Sequence, residues 1–165
     1  MPGVLAAALV VLLALCAGCG DDDDPESDEA RQSAVYSAIL RDVALSLPAT
    51  DDELSDRTVF VEPLDPESEI GLEVQAGVVL ELEDLVAVTF IDDRAAAVDE
   101  EQPDQPVREE SALVALGPVP EGRRRVDVAA ERYRRAGATE RLRYVVERVG
   151  GTWEVAERES LGSGA

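Results

Sequence analysis

The sequence contains no histidine and no lysine. Without histidine there is no Ser-His-Asp or Cys-His nucleophile system, no imidazole metal site and no ordinary neutral-pH proton shuttle. Without lysine, arginine supplies all 15 basic residues against 36 Asp and Glu, and the formal net charge is −21. So acidic a balance argues against a nucleic-acid partner, because that binding needs basic surface to displace counterions from phosphates. Aromatic residues are only 4% of the chain, so few rings are at hand to line a pocket. No glycine-rich phosphate loop and no nucleophile-elbow motif occurs. What is abundant is aliphatic: apolar residues make up 45% of 165 residues. That is enough for one ordinary folded domain and too little chain for two.

The apolar residues first concentrate in Val4 to Ala17, a run without a charge. It is shorter than the ~20 residues of a membrane span and fits the roughly 7–15 of a signal-peptide apolar region. Both cysteines, Cys16 and Cys19, lie at its end. Ala17-Gly18-Cys19 resembles the end of a bacterial lipobox, in which small residues precede a cysteine that takes diacylglycerol on its sulfur. Two features depart from that pattern: Cys16 stands where an aliphatic residue is usual, and Met1-Pro2-Gly3 carries no Lys or Arg. The resemblance implies a signal peptide over 1–18 and lipidation at Cys19; an ordinary cleaved signal and an uncleaved anchor are the alternatives. Once the signal is removed, no second cysteine remains to form a disulfide. Asp21 to Glu29 then holds seven acids in nine residues. It lacks the spaced oxygen ligands and the glycine of a calcium loop, so 19–29 reads as a solvated, self-repelling tether rather than a metal site.

The exported domain is expected over 30–160, with a flexible tail over 161–165. Val35, Ile39, Val43 and Leu47 recur every four residues and predict a helix over 30–47, with Tyr36 and Leu40 widening its stripe. Thr58 to Val61 reads as a short strand. A second helix is expected from Asp65-Pro66, capped by Asp65, with Ile70, Val74, Val78, Leu82 and Leu85 as its buried stripe. Gly77 within it either weakens the helix or admits another element closely. Val86 to Ile91 is a strand, and Asp92 to Glu110 an acidic, proline-bearing loop, either functional or disordered. From Ser111 the alternation predicts an antiparallel meander closed by a Gly150-Gly151 hairpin, with Tyr144 and Trp153 in the core. The fold expected is α+β, with two helices packed on a curved antiparallel sheet of four to five strands.

Several segments resemble small exported lipoproteins of high-GC actinobacteria. They are Val35 to Leu40, Val59-Phe60-Val61, Leu116-Gly117-Pro118-Val119, Leu142 to Arg148 and Gly150 to Val155. The closing hairpin is also similar to the last strands of cystatin-like, cone-shaped folds of the nuclear-transport-factor-2 type. That likeness implies a fold in which helix and sheet enclose a pocket, and a fold does not give a function.

Arginine is unevenly placed, with 10 of the 15 after residue 119. Arg123, Arg124, Arg125, Arg132, Arg134 and Arg135 are therefore candidates for an anion-binding face. The competing reading is that they pair with acids of the same domain or across strands. Adjacent carboxylates such as Asp92-Asp93 are expected by chance in so acidic a chain and read as solvated loop residues. No catalytic residue, metal or cofactor is assigned. The function expected is a non-enzymatic, membrane-anchored domain that binds an envelope protein or an anionic envelope ligand. The alternative is a small-ligand carrier or carboxylate-based enzyme with an internal pocket.

Overall fold

The computed structural model describes residues 27–47, 57–108, 111–122 and 124–164. The signal segment, Cys19 and most of the acidic tether lie outside the described residues, as does Arg123. The first helix, α1, spans Asp28–Leu45. The Ser27 hydroxyl caps it by accepting from Ala30 N at 3.1 Å, and Asp28 and Glu29 complement the positive end of its dipole. Val35, Ile39 and Val43 are buried as their spacing predicts, together with Tyr36 and Leu40, whereas Leu47, expected to close the stripe, lies past the helix end and packs half-buried on the core.

Strand β1 (Thr58–Pro63) leads through α2 (Leu72–Leu82) to β2 (Ala87–Phe90). A helical crossover returns the chain to the same end of the sheet, so β1 and β2 pair in parallel. β3 (Ser111–Leu116) lies parallel on the other side of β1. β4 (Arg125–Arg135), β5 (Ala138–Val149) and β6 (Thr152–Gly164) then add antiparallel. The sheet has six strands in the order β2-β1-β3-β4-β5-β6. The fold is α+β as expected, with both helices on one face. It differs in being mixed rather than wholly antiparallel, because a helix separates β1 from β2.

Three local expectations change. The second helix begins at Leu72, not at Asp65-Pro66. Asp65 instead closes a tight turn, accepting from Glu67 N at 3.0 Å, and Gly71 takes the N-cap position. Residues 161–164, expected as a flexible tail, continue β6 and pair with β5 as far as Thr139↔Gly164. The loop after β2 is a folded cover. It makes a short 3-10 turn at Arg94–Ala96 and a bridge between Val98 and Val107. Ile91, Ala97 and Val98 bury themselves with Leu113 and Tyr133 on the sheet face away from the helices.

The main core lies between the helices and the sheet. Tyr144 and Trp153 are buried there, and Tyr36 donates its hydroxyl to Gly117 O at 2.9 Å. The Gly150-Gly151 hairpin forms as predicted, both glycines at positive φ (59° and 94°), where side chains are disfavoured. At Gly77 the two helices meet closely: a Cβ there would lie 2.3 Å from Ser33 Oγ.

Candidate functional site

The five described candidate arginines do not form one face. Arg124 and Arg125 lie at the start of β4, while Arg132, Arg134 and Arg135 lie at its end, about 30 Å along an extended strand. Three of the five are matched to carboxylates nearby. Arg125 pairs with Glu147 across the β4–β5 ladder. Arg134 reaches Glu140 and Arg135 reaches Asp104, each at 3.5 Å. Arg143 bridges Asp127 at 3.8 Å and Glu159 at 3.2 Å, joining three neighbouring strands. The arrangement is the cross-strand pairing weighed against anion binding from the sequence.

Arg132 differs. It faces the helix side and donates to Ser46 Oγ at 3.2 Å. Burial lowers its pKa, and the neighbouring Arg134 lowers it further. Nearby, Arg158 holds Asp42 at 3.0 Å, and Asp42 raises the Arg158 pKa. Burial pushes the Tyr144 phenol between them up to about 12, reinforced by Asp42. α1 carries no basic residue in its own last turn. Arg132 and Arg158 therefore supply, from the sheet, the positive charge that the carbonyl end of a helix favours. The cluster has a sufficient role in docking α1.

Tyr133 is anchored on the opposite face. Its hydroxyl donates to Gln105 O at 2.9 Å, and the Arg94 guanidinium sits 4.8 Å from its ring centroid. Arg94 also pairs with Glu62, a contact that raises the arginine's pKa. These contacts fasten the covering loop. Among the described residues, no group of three or more His, Cys, Asp or Glu converges as a metal site. No helix among them is long and apolar enough to cross a membrane. The space between α1 and the sheet is occupied by buried side chains such as Ile39, Leu40, Leu116 and Tyr144.

The feature that sequence reasoning missed lies along α2. At about 100° per residue, the buried stripe of Val74, Val78 and Leu82 does not end the apolar arc. Past Gln75 it resumes through Val79, Leu72 and Ala76 to Leu80, with Glu83 at its C-terminal end and Glu73 and Glu81 on the remaining side. Leu72 is 81% exposed, Leu80 68% and Val79 42%. Leu72, Ala76, Val79 and Leu80, with Gln75 and Glu83, line an open groove of about 720 Å³ against Val88, Thr89 and Phe90 of β2. β2 is the edge of the sheet. Ala87 N donates to Arg57 O at 3.0 Å and Ile91 N to Val61 O at 2.9 Å. Because N–H groups alternate along a strand, Val88 and Phe90 turn theirs, with their carbonyls, to the free side. The signal was legible in part: Leu72, Val79 and Leu80 lie off the stripe that a one-sided helix needs.

One carboxylate, Glu83, lines this groove, within an acidic stretch of the chain. Between residues 65 and 93 there are nine acids and no arginine. All nine are exposed. Glu81 alone is shown in an ion pair, reaching Arg41 on α1 at 3.3 Å. A second cleft, between the α1 start and α2, is lined by Glu29, Glu73 and Glu81 around Ser33 and Gly77.

Comparisons with protein-family models, with curated proteins and with solved structures each found no match. The functional reading therefore rests on the geometry and the sequence alone.

Proposed function

We propose that the chain is an exported, lipid-anchored binding domain, without catalysis of its own, that presents the α2–β2 face to a partner. The anchor is Cys19, and the acidic segment after it holds the domain away from the outer face of the cytoplasmic membrane. The observation that carries the binding reading is the exposed apolar surface of Leu72, Val79 and Leu80, bordered by Gln75 and Glu83, beside an edge strand. Scattered apolar residues are ordinary on a protein surface, whereas a joined apolar patch with a polar rim marks an interaction site.

The test of the anchor is the intact mass of the protein extracted from membranes of its own host. The expected species begins at Cys19 and carries a diacylglycerol-sized addition, which Cys19→Ser abolishes. A chain cleaved without lipid makes it a secreted domain with a diffusible partner. A chain intact from Met1 overturns the export reading.

A further inference from the structure

We propose that the groove between α2 and β2 takes an extended, basic-flanked apolar segment of a partner protein, which adds to the sheet as a seventh strand beside β2. The inference deepens the binding reading above and rests on it. Three observations converge. The outward N–H and C=O groups of Val88 and Phe90 are available to a new strand, and main-chain pairing of this kind supplies affinity without demanding one sequence. The exposed Leu80 and Val79 lie over the same edge, so apolar side chains on one face of the added strand find cover against α2. Glu83 lines the groove, and the stretch 65–93 that carries it holds nine exposed carboxylates and no arginine, a charge that selects the occupant.

The same charge decides between occupants. A second copy of this chain would bring two such acidic rims together, which like-charge repulsion opposes. An anionic membrane surface is opposed for the same reason. A segment with Arg or Lys flanking four or five apolar positions meets the rim with opposite charge and leaves the groove dry. Nothing comparable exists at the other edge, where charged side chains and bulges interrupt β6.

The test selects a display library of random twelve-residue peptides on the full chain in mild detergent, and counter-selects it on the Leu80→Glu chain. Recovered peptides are expected to alternate apolar residues and to carry flanking Arg or Lys. Their affinity should fall at least tenfold for Leu80→Glu, for Val88→Pro and on raising the salt to about 1 M, where the Debye length is ~3 Å. Proline at Val88 removes only an outward N–H, which an edge strand tolerates. Should that variant not fold, peptides N-methylated at alternate amides serve in its place, with the same tenfold loss expected. On binding, amide exchange at Val88 and Phe90 should slow while Ala87 keeps its protection. If no peptide separates the parent from Leu80→Glu, both this inference and the binding face fall. If peptides need Leu80 but ignore Val88→Pro and N-methylation, the face stands and strand addition is overturned. A concentration-dependent dimer that Leu80→Glu dissolves would make a second copy the occupant and overturn the basic segment. Peptide binding as expected with an unlipidated Cys19 would sink the anchor and leave this inference intact.

Discussion

At one end of the sheet β6 runs for 13 residues, carries Glu154, Glu157, Arg158 and Glu159, and breaks register with β5 in two places. At the other end β2 runs for four residues with no charge, no proline and no irregularity in its pairing with β1. Folded proteins guard their edges with charges, bulges or covering segments, because free backbone groups recruit other strands. β6 has charges and bulges; β2 has only its shortness, with neither charge nor bulge among its residues. The helix above β2 adds to the contrast by turning Leu72 and Leu80 outward. Within one sheet, then, the two edges differ in charge and in regularity, and β2 lies in the stretch 65–93, which holds nine acids and no arginine.

The largest expected effect tests whether the guarded edge is also a structural one. Trp153 opens β6 and is buried in the main core. Trp153→Ala should destabilise the domain by ~3–5 kcal/mol, read as a lower denaturant midpoint at constant slope. The loss should be global, since α1 packs against both β6 and α2. A loss confined to β6 amides, with α2 unchanged, would make the two ends independent units.

The next test sets the two faces of α2 against each other. Leu82 is fully buried, and Leu82→Ala should cost ~2–5 kcal/mol. Leu80, two residues earlier, should give a change within ~0.5 kcal/mol on the same substitution, as exposed sites do. Comparable losses at both positions would mean that the outer face is already covered in solution, and the open-edge description would fail.

How much of this was legible in the sequence follows the strength of each local pattern. The α1 stripe, the glycine hairpin and the inward alternation of β4 and β5 were read correctly, because each burial face repeats over many residues. The start of α2 was misplaced because Asp-Pro serves a tight turn as well as a helix cap. The loop after β2 looked solvated by composition. Its few apolar residues, Ile91, Ala97, Val98 and Val107, are spaced without period and find their face only through tertiary contact. The arginines were counted correctly, but a strand separates its ends by distance and matches each position to a neighbour. Charge counts along the chain hold neither piece of information. The open edge was hidden for a related reason: a wide apolar arc on a helix reads as burial until the neighbours are known.

Alkali should act on the β6 side of the comparison. Burial, reinforced by Asp42, pushes the Tyr144 phenol up to about 12, against the opposing pull of Arg158 of β6. In the unfolded chain a tyrosine ionises near 10. Between these values the unfolded state releases a proton that the folded state keeps, so stability is full below pH 10 and falls as pH rises to 12. The two pKa values give a loss of about 3 kcal/mol across that window. Urea unfolding from pH 9 to 12 should show the slope, and Tyr144→Phe should flatten most of it. A residue of slope should persist from Tyr36, whose pKa burial also raises. An unchanged slope in Tyr144→Phe would mean that the phenol is hydrated and that the α1–β6 contact is looser than its geometry.

The smallest effect bears on what the charge ladder of the meander is for. Arg125 and Glu147 face each other across β4 and β5, and their side chains are 56% and 36% exposed. Exposed pairs of this kind are worth ~0.2–1 kcal/mol in a double-mutant cycle and are screened by salt. The cycle through Arg125→Ala and Glu147→Ala should therefore return a coupling in that range at low salt and near zero at about 1 M. A coupling several-fold larger, insensitive to salt, would make the ladder a stabilising network. The expected small value leaves it a different task. Alternating charges cost little on an exposed sheet face, they keep the face soluble, and they deny a foreign strand the apolar cover that α2 offers beside β2.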